Sequence, residues 1–125
     1  MDFTGLERGA TDIDGMSDYK GQGFLFYELK HSDAECPDGQ RNALQNFVDT
    51  AHDAGKLGLA LIAEHFVEDT TKDVLVKDCF VREMYYSEER KWRPPREVVT
   101  VGQMEHAFNE ICRRREERKC GTCAR

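Results

Sequence analysis

Apolar residues in this chain gather into a few short runs separated by glycine, proline and charged stretches. Phe24 to Lys30 is of strand length, and its apolar residues run on through Leu25 to Tyr27 instead of alternating, the pattern of a strand covered on both faces. Lys20-Gly21-Gln22-Gly23 before it reads as a hairpin loop, and Ala10-Thr11-Asp12-Ile13-Asp14 as a short strand leading into a turn. Asp38 is placed to cap a helix in which Ala43, Leu44, Phe47, Val48 and Ala51 recur at helical spacing, with Gly55 ending it. Residues 57–63 form a second uninterrupted apolar run, so strand, helix and strand follow one another as in a crossover between parallel strands.

Residues 74–86, rich in Val, Phe and Tyr, predict one long or two short further strands that end at the charged, proline-containing stretch 87–96. Thr100 and Gln103 have capping-box spacing, and Met104, Phe108, Ile111 and Cys112 then line one face of a helix reaching to about Arg118. The expected fold class is α/β, a small mixed β-sheet flanked by helices. Residues 1–118 make its single domain and residues 119–125 a flexible basic Cys-x-x-Cys tail.

Length and composition agree with this outline. The chain has 125 residues, 39% hydrophobic and 34% charged, enough for one compact domain. It holds no run of the roughly 18 to 20 apolar residues that a bilayer crossing needs, and Met1 to Ala10 lack a basic start followed by an apolar stretch, so no membrane association is expected. Cys36, Cys79, Cys112, Cys120 and Cys123 are odd in number and scattered, which argues for a reduced, cytoplasmic protein over a disulfide framework.

A net charge of −6 would by itself repel nucleic acid, but the charge is uneven. Residues 1–60 carry 11 acids and 5 bases, whereas residues 61–125 carry 13 of each. The bases are bunched: Arg90, Lys91, Arg93 and Arg96 form one group, and Arg113, Arg114, Arg115, Arg118, Lys119 and Arg125 another. An acidic part suited to a metal is thus followed by segments suited to phosphates, with Arg90, Lys91, Arg93, Arg113 and Arg114 as candidate DNA contacts. Glu116 and Glu117 interrupt the second group, as on an ordinary solvated helix face.

Side chains two apart on a strand share a face, so Glu28 and Lys30 emerge together, and an antiparallel neighbour can bring Asp14 beside them. Carboxylate oxygens are what a hard ion such as Mg²⁺ or Mn²⁺ selects, and Asp14, Glu28 and the Leu29 carbonyl would supply the protein's share of its ligands. Asp12 is the alternative first acid, since it shares a face with Asp14. Such an ion would polarise a phosphodiester and activate water, and Lys30 would hold that water or neutralise the developing charge.

At these residues the chain resembles the PD-(D/E)xK nuclease superfamily, whose signature is an acid, a hairpin and an acid-x-Lys triplet on the next strand. Thr-Asp-Ile-Asp-Gly, Phe-Tyr-Glu-Leu-Lys-His and Gly39-Gln40-Arg41 opening a helix look like small phage or mobile-element enzymes of this type, akin to the VRR-NUC and Holliday-resolvase groups. The likeness covers about residues 10–65. It implies a restriction-endonuclease-like core and makes Asp14, Glu28 and Lys30 the catalytic set, with Gln40 approaching from the helix. It also implies a Mg²⁺- or Mn²⁺-dependent DNA endonuclease of phage DNA processing, repair or recombination, in a bacterial or phage-infected cell. No proline precedes either acid, and residues 1–9 lack the helix that usually opens such a core, which is therefore minimal or closed by a partner.

Cutting two strands calls for two sites, so a homodimer accompanies this expectation. The competing reading is a non-catalytic nucleic-acid or protein binding module that keeps the nuclease fold. A surface ion pair is the ordinary explanation of Glu28 and Lys30, but charges closing an apolar central strand are costly unless paired or used. His31 is a secondary candidate, expected on the opposite face from Lys30. Cys120 and Cys123 have the spacing of half a zinc knuckle, yet Zn²⁺ normally needs four ligands, so two unused thiols are the preferred reading. Trp92 among bases is a base-stacking platform or a packing anchor.

Overall fold

A computed structural model describes residues 13–32, 34–66 and 75–123, with side chains to residue 118. Strands β1 (Gly15–Tyr19) and β2 (Gly23–His31) form a hairpin, helix α1 (Asp38–Asp53) crosses over to β3 (Leu57–His65), and β4 (Phe80–Tyr86), β5 (Trp92–Arg93) and helix α2 (Val101–Cys123) complete the order. The sheet order is β1-β2-β3-β4-β5. Among the described strands only β2 and β3 pair in parallel; the other neighbours are antiparallel. This is the mixed α/β sheet with helical cover that the apolar pattern predicts.

The helices cover opposite faces. Leu44 and Val48 of α1 pack on Phe26, Ala60, Ile62 and Tyr85, whereas Phe108 and Cys112 of α2 pack with Leu25, Leu59, Leu61 and Met84. Consecutive residues of β2 and β3 therefore enter different cores, which is why their apolar runs do not alternate. Among the described residues no helix is long and apolar enough to cross a membrane.

The hairpin turns at Lys20 and Gly21, both at positive φ (51° and 70°) as in a type I′ turn, and Asp18 Oδ1 accepts from Gly21 N at 2.8 Å. Gly15 makes room for a ring: a Cβ there would lie 2.1 Å from Tyr27 Cζ. Helix α1 ends as its sequence predicts, with Gly55 at φ +78°, Lys56 N donating to Ala51 O at 2.8 Å and Gly55 N to His52 O at 2.9 Å, a Schellman arrangement. The capping box of α2 is formed, with Thr100 N to Gln103 Oε1 at 2.9 Å and Gln103 N to Thr100 Oγ1 at 3.2 Å.

Several sequence expectations shift. A strand forms at Gly15–Tyr19, where the sequence predicts a turn, because pairing with β2 recruits residues whose glycine and polar content reads locally as loop; of the strand expected at 10–14, residues 10–12 lie outside the described residues, and Ile13 and Asp14 are not in strand. Asp38 is the first helical residue, not a side-chain cap; Pro37 stands at the N-cap without one. Helical backbone continues to Cys123, beyond the end expected near Arg118 and through most of the segment expected as a tail. Phe47 and Ile111 are substantially exposed, and Phe47 stacks on Phe26 with ring centroids 5.1 Å apart.

At Gly58 helix α1 comes close to the sheet. A Cβ there would meet Val48 Cα at 3.2 Å and Val48 O at 3.3 Å, backbone atoms that cannot step aside alone. Gly58→Ala is expected to destabilise the fold by about 1–3 kcal/mol in urea titration; an unchanged midpoint would show that α1 lifts freely.

Candidate metal and phosphodiester site

Parallel pairing and the hairpin together position the predicted residues. Gly15 stands opposite Tyr27 in the β1–β2 ladder, so Asp14, one step before β1, falls opposite Glu28. The acid therefore precedes its strand instead of ending it. Asp14 Oδ2 accepts from Leu29 N at 2.6 Å, the next rung of the ladder supplied by a side chain. The N–H and C=O of a strand residue leave the same side, so the Leu29 carbonyl also faces the Asp14 edge.

Glu28 is the unusual group. It retains 5% of its surface on a strand whose neighbours are apolar, and its Oε2 is buried with no hydrogen-bond partner. Oε1 meets Lys30 Nζ at 3.4 Å, and Lys30 Nζ donates to Gln40 Oε1 at 2.7 Å. Burial holds the Glu28 carboxyl above the usual carboxylate range, and the nearby Asp14 charge adds to this while the Lys30 ammonium opposes it. Asp14 itself is exposed. Asp14, Glu28, Lys30 and Gln40 are thus gathered at one end of β2; Asp12 lies outside the described residues.

A hard cation suits this arrangement. An ionised carboxylate oxygen in an apolar setting requires a positive partner, and Oε2 has none, while Asp14 and the Leu29 carbonyl offer oxygen at the same edge. Among the described residues no group of three or more His, Cys, Asp or Glu side chains converges as a metal cage, and two carboxylates with waters are what Mg²⁺ ordinarily accepts.

Four further residues border the site. Arg41, next to Gln40, binds Glu83 on β4 at 2.6 Å and lies over the Trp92 ring at 4.9 Å. The Glu83 hydrogen bond holds the Arg41 guanidinium even more firmly charged than usual. Cys36 is buried, its Sγ 4.0 Å from Gln40 Oε1, and burial pushes its thiol up. Reading the sequence names Arg41 only as part of the helix opening and assigns Glu83 nothing. Their pairing joins residues 42 positions apart, for which no local pattern exists.

Three arginines of the basic segments are paired with acids of the chain. Arg90 pairs with Asp49 at 3.4 Å, Arg93 with Glu89 at 2.9 Å, and Arg113 with Glu110 at 3.0 Å and Glu117 at 2.6 Å. Lys91 and Arg114 are exposed. Residues 113–118 continue α2 past Cys112, which packs near Gly23 at the start of β2, on the other face of the sheet and away from Lys30. Trp92 is a packing anchor: its indole N–H goes to Gln45 at 3.2 Å and its ring lies against Tyr85. His31 falls on the face opposite Lys30 and meets His65 edge-on, with ring centroids 5.2 Å apart.

The raised Glu28 group carries a sign that can be checked. Below the unfolded-state value Glu28 is protonated folded or unfolded and contributes nothing; as pH rises through the folded value the native state loses stability relative to a neutral side chain. In chelator, Glu28→Gln is expected to be more stable than wild type at pH 7, with the difference vanishing near pH 3.5 to 4, roughly below the ordinary carboxylate range. Urea melts at both pH values decide it, and a wild type more stable than Glu28→Gln at pH 7 would show Oε2 to be satisfied. Comparison with family models, with curated proteins and with solved structures returns no match for this chain, leaving the geometry of the site as the basis for assigning a function.

Proposed function

We propose that the protein is a Mg²⁺- or Mn²⁺-dependent DNA nuclease of the PD-(D/E)xK type, with Asp14, Glu28 and Lys30 as its catalytic set. The observation that carries this reading is the orphaned, buried Oε2 of Glu28 beside Asp14 and Lys30. A solely structural ion pair would use both oxygens or lie in water. The hairpin, the acid-x-Lys strand, the crossover helix with Gln40 and the parallel third strand support it as well.

The ion would be held by Asp14, Glu28 and the Leu29 carbonyl, and would supply Lewis-acid stabilisation of the phosphoryl oxygens and activation of the attacking water. Lys30 has three N–H donors. One goes to Gln40 and one faces Glu28, which leaves a third for water or a phosphate oxygen. Gln40 keeps the ammonium from folding wholly onto Glu28. Asp14 anchors the hairpin to Leu29 through one oxygen, so that its second can serve the ion. Hydrolysis by in-line attack of water leaves one fragment with a phosphate and the other with a hydroxyl. The buried free thiols of Cys36, Cys79 and Cys112 suit a reducing compartment, as in a bacterial or phage-infected cytoplasm, and two-strand cutting would use a homodimer.

The test is cleavage of supercoiled, linear, single-stranded and four-way-junction DNA in Mg²⁺, Mn²⁺ or EDTA. Wild type should cut only with metal, and Glu28→Ala and Lys30→Ala should each lose about 10²- to 10⁴-fold in rate. Folding of each variant is checked by its circular-dichroism melt. A folded wild type that cuts none of these substrates with either ion defeats the enzyme and favours the binding module.

A further inference from the structure

Strand β4 carries an irregularity that its sequence conceals. Ile62 stands opposite Glu83, but the next residue, Ala63, stands opposite Val81, which leaves Arg82 as the extra residue of a β-bulge. In a regular ladder Arg82 would face Ala63 and enter the apolar core beneath α2, where a guanidinium finds no partner. The bulge sends it to the β2–α1 loop instead. There Nη1 donates to the Ala34 carbonyl at 2.6 Å and Nη2 to the Ser32 carbonyl, while Nε and Nη2 reach Glu64 Oε2 at 3.3 and 3.0 Å.

The loop it grips is one that needs holding. Ser32 sits at φ +51°, a left-handed conformation that non-glycine residues adopt only at a cost. Helix α1, which begins a few residues later, has no side-chain cap to fix its start, and its third residue is the Gln40 that receives Lys30. Glu64 matters for a second reason. It is the register partner of Lys30 across the parallel ladder, so the two share a face as neighbours. An unengaged carboxylate there would draw the ammonium from Glu28 and Gln40; Arg82 occupies it at 3.0 Å.

We propose that Arg82 is a positioning residue for the Glu28–Lys30 site, acting by holding Ser32 and Ala34, which lead into the helix that carries Gln40, and by engaging Glu64 away from Lys30. The catalytic consequence rests on the nuclease reading above; the clamp does not.

The variants are Arg82→Met, which keeps the stem and removes the guanidinium, and Arg82→Met with Glu64→Gln, which also removes the freed charge. Amide hydrogen exchange of Arg82→Met should quicken about tenfold at Ser32, Ala34 and Arg41, with Leu59 to Ile62 in β3 at wild-type rates. The turnover number should fall about tenfold with KM inside about twofold, and the double variant should regain only part of the turnover, because its freed charge is gone while its loop amides stay fast. Wild-type exchange at the three loop amides, or equal acceleration in β3, overturns the clamp. Fast loop amides with unchanged turnover overturn the positioning role and leave the nuclease intact. A wild type that cuts nothing removes the nuclease reading, and the exchange rates still decide whether Arg82 holds the loop.

Discussion

The parallel pairing of β2 with β3 is the constraint on which the rest of this structure depends. It places two strands at the centre of a sheet covered on both faces, so a buried residue of β2 must either be apolar or have a specific reason to be charged. Glu28 breaks that rule inside the ladder, and Lys30 breaks it two residues later. Because the crossover requires a helix between parallel strands, the same pairing brings the first turn of α1, with Gln40 and Arg41, over the ends of β2 and β3. Core formation and site assembly are one event in this fold.

The site is electrostatically lopsided. Its cations are engaged, Lys30 by Gln40 and Glu28 and Arg41 by Glu83, while one carboxylate oxygen is left without a partner in a desolvated position. A buried ion pair left incomplete in this way is destabilising, and proteins keep such groups where a ligand completes them. Asp14, exposed and tied to the β2 backbone, is the second oxygen source on the open side. An arrangement with spare negative charge at its centre and fixed positive charge around it suits a dication that in turn binds phosphate.

Most of the arginines singled out as DNA contacts spend their charge within the chain. Arg90, Arg93 and Arg113 are matched to carboxylates near them, in keeping with a molecule of net charge −6. On the proposed nuclease reading, attraction for a nucleic acid would come from the ion and the few cations at the site more than from a broad basic surface. The α1 face, with Lys30, Gln40 and Arg41 at the head of the helix, is the side from which a phosphate backbone would approach.

What the sequence by itself determined is what short-range rules govern. The two-faced burial of β2 and β3, the helix between them with its glycine stop, the capping box of α2 and the grouping of Asp14, Glu28 and Lys30 follow from periodicity, turn chemistry and spacing, whereas Gln40 is named only through the family resemblance. The tertiary structure decided what depends on register and long-range pairing. β1 exists at Gly15–Tyr19 because β2 offers it a partner, and the β4 bulge redirects Arg82 because the core beneath Ala63 excludes charge. Arg41 finds Glu83, and the arginines of the basic runs find acids, across separations that no local pattern encodes or on helix faces whose use only packing selects. Local backbone preference can announce a strand or a cap, but the partner of a charged side chain is set by which surfaces the fold leaves within its reach.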